Sequence, residues 1–421
     1  MIQRRVASLI AVGGLVFILV ATLIPAPERA LAVAATPFLC LVCGEQGSVD
    51  VVLNVLLFIP FALGLRWSGV GIRRVILASV LLSMLVEFLQ YSVVIGRDSS
   101  LSDILTNSLG GALGAMLADH LETLFRPSPP TARRLAIAWA AAWLGVMAVS
   151  ALALRPWAPA GPYLVRWAQA RPPHPPFGGK VTAASLGSAP LSRGRLPAGF
   201  ALPPPMRAGT TRLRVSVLTG KPAPDWRPIL ILSRPGSAVL GLSQWGHDLV
   251  FEAPSLATPL KLRPVAVRLG HAFPTDSGMP LDLAAEVERQ TVRLASSYGG
   301  GRSWTLALSP SFGWSLLVPF DHAFGPEVHL LTGLWLAGFM LPLGFWWGRA
   351  GVPVGSATAS IAGVVVLGLG VLPRLAGYPP VHWSEWAASA LGAALGWAGS
   401  RRAAYLPNRC DSPSIGAFFS S

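Results

Sequence analysis

Six polar side chains, Asp50, Asn54, Glu87, Gln90, Asp103 and Asn107, are set into three consecutive apolar stretches of a 421-residue chain, and Arg97 lies between the second and third. Ionisable groups inside hydrocarbon cost several kcal/mol, roughly, unless they serve one another or a ligand. Spacings of four (Asp50 and Asn54, Asp103 and Asn107) and three (Glu87 and Gln90) keep each pair on one side of a helix. Helices running down, up and down would gather all six at one depth, with Arg97 beside them. Such a cluster can bind a headgroup or peptide-like group. Alternatively Glu87 and Asp103 could act as acid and base, or hold a divalent ion with Asp50. No HExxH, no phosphatase-type Arg and His motif and no Ser, His and Asp arrangement occurs in the apolar stretches, and neither a cofactor nor a resident metal is expected. Taken singly, each residue also has a structural role open to it: helix capping for Asp103 and Asn107, interfacial solvation for Asp50, a buried hydrogen bond for Glu87.

The elements that must position these groups follow from hydropathy. A mean hydropathy of +0.55 with 12% charged residues describes a membrane protein. Eight runs reach spanning length, at about 6–25, 50–66, 73–94, 101–118, 132–153, 328–347, 352–372 and 382–399. The first is too long for a signal-peptide core and lacks a clear cleavage site, so it reads as a retained span. Arg4, Arg5, Arg66, Arg73, Arg74, Arg126, Arg133, Arg134, Arg349, Arg401, Arg402 and Arg409 fall on one side, against Arg29, Arg97 and Arg374 on the other. The positive-inside rule then puts both termini in the cytoplasm of a bacterial inner-membrane protein and the polar cluster outside.

The pattern D-x3-N-x3-F-x-P-F-x-L-G, then E-x2-Q, then R-x5-D-x3-N-x2-G-x3-G runs through Asp50, Asn54, Phe58, Pro60, Gly64, Glu87, Gln90, Arg97, Asp103, Asn107, Gly110 and Gly114. It resembles the VanZ-like family of small bacterial membrane proteins, named for a glycopeptide-resistance accessory protein. The resemblance implies a four-span unit over 1–125 and a link to glycopeptide-type resistance, and says little about chemistry.

A second unit is suggested further on. SDILTNSLGGALG from Ser102 aligns without a gap with SEWAASALGAALG from Ser384, and FALGLRWSGVG from Phe61 resembles LPLGFWWGRAG from Leu341. The fifth span (126–154) and the last three (327–402) would then form a degenerate copy, followed by a cytoplasmic tail, 403–421. In that alignment Leu330 falls near the place of Asp50, and Glu385 and His382 are the polar survivors. Small-residue helix packing alone also generates G-x3-G.

Residues 155–326 form an insertion carrying 18 Lys and Arg against 8 Asp and Glu, most of the chain's net charge of +14. A basic exterior domain favours anionic partners such as headgroups or envelope polymers; nucleic acid is not expected there. TRLRVSVL, PILILS, AVLGLSQ, DLVFEA, LRPVAVRLG, QTVRLASSY and SWTLALS alternate in the manner of an antiparallel β-sandwich, with Pro-rich loops at 155–179 and 197–208. The stretch PILILSRPGSAVLGLSQWGHDLVFEA resembles a laminin-G or concanavalin-like jelly roll, with Gln244, Gly246, Asp248, Leu249 and Phe251 carrying the likeness. Such domains often bind carbohydrate, and Trp226, Trp245 and His247 are the candidate glycan contacts, against a packing role for the same rings; Trp304 and Trp314 read as core. Cys40 and Cys43, in the first exterior loop, read as a local disulfide, and Cys410 as a cytoplasmic thiol. The favoured function is binding of an envelope glycan or lipid-linked precursor at the bilayer, with an intramembrane enzyme and a transporter as alternatives.

Overall fold

The computed structural model describes residues 2–405 apart from 27–37, 43, 98, 158–160, 172–173, 198–199, 201–210, 236, 254 and 289. Eight long helices occur among the described residues: α1 (Ile2–Leu23), α2 (Gly47–Trp67), α3 (Ile72–Ser92), α4 (Leu101–Asp119), α5 (Pro129–Ala153), α6 (Val328–Arg349), α7 (Val354–Leu375) and α8 (Trp383–Tyr405). Five of them, α1, α2, α5, α6 and α7, are long and apolar enough to cross a membrane. The remaining three are diluted by polar and small residues: α3 holds Glu87 and Gln90, α4 holds Asp103 and Asn107, and α8 holds Glu385 with Arg401 and Arg402.

Local chemistry explains the helix ends. Ser100 opens α4, its hydroxyl accepting from the Asp103 N–H at 3.1 Å. Pro129 and Pro130 open α5, where a missing N–H leaves nothing unsatisfied, so the proline-rich link starts a helix instead of only ending one. In α7 the stretch Val366–Val371 widens into a π turn, and a Cβ on Gly368 would lie 2.2 Å from the Trp143 ring of α5. The wider turn and the missing side chain let the indole pack against the backbone.

Helix α4 lies between α2 and α3, and α1 packs on α2. Close approach depends on glycine: a Cβ on Gly110 would stand 2.2 Å from the Val55 carbonyl oxygen, and one on Gly64 2.3 Å from the Ala11 nitrogen. Ile18, Phe58, Phe61 and Val86 fill the space between α1, α2 and α3.

Between α5 and α6 the chain builds a β-sandwich of two six-stranded antiparallel sheets. Its strands are β1 (Leu164–Trp167), β2 (Lys180–Leu186), β3 (Ala189–Pro190), β4 (Gly194–Arg195), β5 (Thr211–Leu218), β6 (Trp226–Arg234), β7 (Ser237–Trp245), β8 (Asp248–Glu252), β9 (Ala266–Leu269), β10 (Pro280–Glu288), β11 (Thr291–Ser296) and β12 (Arg302–Ala307). One sheet runs β4-β1-β6-β7-β8-β9 and the other β12-β11-β10-β5-β2-β3. Each of the seven alternating segments holds a strand, though LRPVAVRLG is paired only over Ala266–Leu269. Five strands lie outside those segments, among them the two-residue β3, which pairs with β2. β1 and β4 fall in or beside stretches read as loop. β2 and β10 are poor in branched and aromatic residues, yet their alternate residues, such as Leu281, Leu283, Ala285 and Val287, are buried between the sheets.

The sandwich meets the helices through the 3-10 segment Pro310–Leu317, which packs on α5 and α6, and through the turn around Lys261. Tyr378, in the α7–α8 connection, reaches the same seam, donating its hydroxyl to the Ala151 carbonyl at 2.6 Å.

Candidate functional site

The three helices bring most of the polar residues to one end of the bundle, as paired contacts. Asn54 Nδ2 donates to Asp103 Oδ1 at 2.7 Å, joining α2 to α4. Glu87, only 3% exposed, accepts the Ser100 N–H at 2.8 Å, so an α3 carboxylate caps the N-terminus of α4 where the helix dipole favours negative charge. Asn107 donates to Ser83 Oγ at 3.0 Å, and Gln90 donates to the Thr22 carbonyl of α1 at 3.0 Å. Arg97 donates through Nε and Nη2 to the Ile24 and Ala21 carbonyls, both at 3.1 Å, at the C-terminus of α1. Asp50 is exposed, one turn before Asn54.

The cluster therefore has a depth order. Asp50 lies outermost in burial, Asn54 and Asp103 are half-buried, and Glu87, Gln90 and Asn107 are buried behind them. Among the described residues, the buried Gln90 Oε1 and Asn107 Oδ1 atoms have no hydrogen-bond donor. Buried acceptors of this kind cost about 1–3 kcal/mol each.

Sequence reasoning missed the serines. Ser79, Ser83, Glu87 and Gln90 form one buried stripe along α3, and Gly111 packs on Ser79, where a Cβ would lie 2.4 Å from its Oγ. Their spacing of four, four and three was a legible signal. Phe58 is fully buried, Pro60 lies on the exposed side of α2, and Gly64, Gly110 and Gly114 sit at helix contacts.

The later helices carry a corresponding place. Gly392 and Gly396 of α8 press on the Ala337 and Leu341 carbonyls of α6, as Gly110 and Gly114 press on those of Val55 and Ile59. Here the end of the sandwich fills the polar position. Ser309 Oγ is 3.2 Å from both Glu385 carboxylate oxygens, and Trp314 Nε1 donates to Thr332 Oγ1 at 3.1 Å. Gly313 permits this, since its Cβ would stand 1.9 Å from Ser150 Oγ. His382 stacks on His329 at 4.3 Å. Ser309→Ala, which leaves the buried Glu385 without this donor, is expected to lower stability by about 1–3 kcal/mol in a detergent unfolding titration.

In the sandwich, Trp226 is 9% exposed and stacked between His174 (5.9 Å) and Trp245 (6.1 Å). Trp245 is half-buried and meets His322 edge-on, while His247 Nδ1 lies 3.2 Å from the Phe273 carbonyl. Trp304 is half-buried against the sandwich core, and so is Trp314. Cys40 is disulfide-bonded; Cys43 and Cys410 lie outside the described residues. Among the described residues no group of three or more His, Cys, Asp or Glu side chains could hold a metal ion.

Taken together, α1–α4 are an apolar helical unit with a polar cluster at one end, and a separate two-sheet domain follows. Residues 11–124 match the family model described as VanZ/LLP1, so the chain carries a VanZ-like domain over its first four helices. No curated protein and no solved structure matches the chain.

Proposed function

We propose that the chain is a multi-pass protein of the bacterial inner membrane whose VanZ-like unit binds an envelope component at a polar pocket opening to the exterior. In this reading all eight helices span, both termini are cytoplasmic and the sandwich is outside. The carrying observation is the Asn54–Asp103 pair, half-buried, with exposed Asp50 one turn away. Carboxylates at a pocket mouth favour ligands that present hydroxyl, N–H or ammonium donors.

A degenerate duplication supports the same chemistry. One constant shift in residue number relates Gly110 to Gly392, Gly114 to Gly396, Val55 to Ala337, Ile59 to Leu341, Pro60 to Pro342 and Asp103 to Glu385. Aligning Phe61 with Leu341 is out by two residues on these contacts, because small-residue helices match in several registers. With the shift applied, Thr332 stands at the place of Asp50, and Leu330 does not. Ser309 and Trp314 thus offer a hydroxyl and an N–H to the counterparts of Asp103 and Asp50. The second pocket is filled by the chain itself, with the kind of donors the first would accept from a ligand.

An acid–base role for Glu87 is disfavoured by its burial and its bond to the Ser100 N–H. A lipid-linked, peptide-bearing sugar precursor fits the pocket chemistry and the resistance link that the family resemblance implies. Native mass spectrometry of the full chain in nanodiscs, with a polyprenyl-diphosphate-linked muropeptide as probe, tests it. Binding is expected to weaken about tenfold in Asp103→Asn and in Asn54→Ala, from the loss of one charge-assisted bond. No adduct with the wild type, or equal adducts in the variants, would overturn the proposal.

A further inference from the structure

The outer face of the β12-β11-β10-β5-β2-β3 sheet carries a groove of about 580 Å³. Strand alternation dictates its lining. Leu213, Val215, Leu283, Ala285 and Leu294 turn inward to the core, so their neighbours face out. The register sets Arg214, Ala284, Ala295 and Ser303 in one row across β5, β10, β11 and β12, about 14 Å from end to end at ordinary strand spacing. The two alanines keep the floor of the groove low.

Three arginines, Arg214, Arg293 and Arg302, rise around that floor. Among the described residues none of them has a carboxylate within 4.0 Å, whereas Arg212 on the same face is paired with Glu286. Asp282 is the only carboxylate in the described lining, and it accepts from Ser216 Oγ at 2.6 Å. Three cations against one hydrogen-bonded anion leave the groove positive. Among the described residues the helices contact the sandwich chiefly through Pro310–Leu317 and the turn at Lys261, away from this face.

The shape and the chemistry select the occupant. A recessed row of about 14 Å across four strands suits a short extended chain better than a flat bilayer. The described lining holds no aromatic ring on which a base could stack, which disfavours single-stranded nucleic acid. Serines beside unpaired guanidinium forks suit alternating hydroxyls and anions. We infer that this groove binds an extended anionic glycan, its carboxylates or phosphates meeting Arg214, Arg293 and Arg302 and its hydroxyls meeting Ser303. The site is separate from Trp226 and Trp245, which lie in the other sheet, and does not depend on the membrane pocket.

The test uses the full chain in zwitterionic nanodiscs, titrated by interferometry with oligogalacturonate and, separately, with a glycerol-phosphate oligomer. Maltohexaose, phosphatidylglycerol vesicles and a single-stranded oligonucleotide are the comparison probes. One or both anionic oligomers are expected to bind, with affinity falling as salt rises. The R214A/R293A/R302A variant is expected to lose about 30-fold, while the charge-matched R193A/R195A/K221A variant changes less than about threefold. Unchanged far-ultraviolet circular dichroism would exclude misfolding as the cause, and Asp103→Asn should bind the oligomers normally. Absence of wild-type binding to both oligomers, equal losses in the two triple variants, or tighter binding of vesicles or oligonucleotide would overturn the inference.

Discussion

Gly110→Leu is expected to prevent assembly of the VanZ-like unit. The α2–α4 contact brings the Val55 carbonyl oxygen within 2.2 Å of where even a Cβ would stand, and the obstacle is backbone, which no rotamer change can relieve. Overpacking against a rigid neighbour costs about 3 kcal/mol or more. It would also part Asn54 from Asp103, since their 2.7 Å bond bridges the same two helices. The measurement is the yield of monodisperse protein in detergent together with its thermal midpoint. Gly13→Leu on α1 is the control, because none of the described residues lies within 4 Å of its Cβ position, and it should shift stability by no more than about 0.5 kcal/mol. Equal yields for the two variants would show that the helices do not meet through Gly110.

Arg171→Ala is expected to have the second largest effect, through the seam between the sandwich and the loop before α2. Arg171 bonds Glu45 at 2.5 Å and lies 3.5 Å from Glu252, and both Arg171 and Glu252 are mostly enclosed, with side chains 25% and 23% exposed. Burial pushes the Glu252 carboxyl up, and the Arg171 guanidinium pulls it back down. Removing the arginine strands a partly buried carboxylate, at a cost of about 3 kcal/mol near neutral pH. The sign follows from linkage. A raised folded-state pKa means that the contribution of Glu252 to stability is whole below the ordinary carboxylate range and is lost as pH rises through the raised value. The deficit of the variant should therefore be largest at neutral and alkaline pH and shrink on acidification. Acid also charges His174, whose pKa burial holds down. Comparing Arg171→Ala with the Arg171→Ala, Glu252→Gln double variant isolates the carboxylate. Urea unfolding between pH 4.5 and 8 reads the difference, and a deficit independent of pH would refute the account.

Much of the architecture was legible in the chain. Apolar runs marked the places of all eight long helices, and five of these are long and apolar enough to cross a membrane. Period-two alternation marked seven strand segments for the equally local reason that successive side chains point to opposite faces. β10 escaped because Leu-Asp-Leu-Ala-Ala-Glu-Val is built largely from residues that favour helices, and only its place between β5 and β11 makes it a strand. In the candidate site, spacing could place Asp50 one turn from Asn54 and Asp103 one turn from Asn107, but it could not name partners on other elements. Arg97 reaches the carbonyls that end α1, and Glu87 reaches the N–H of Ser100. Trp226, which the sequence left open between a sugar contact and a packed ring, stands in an aromatic stack between His174 and Trp245.

By itself, the sequence determined which polar groups would be carried into apolar helices and on which side of each helix they would stand, since both depend only on the helical repeat. Tertiary structure decided what those groups touch. Ser83, Ser100, Ser309 and the terminal carbonyls of α1 come from other elements, and helix crossing, set by a few glycines, brings them into reach. The arginine groove has the same origin: Arg214 lies about 80 residues before Arg293 and Arg302, and pairing of β5 through β10 to β11 makes them neighbours.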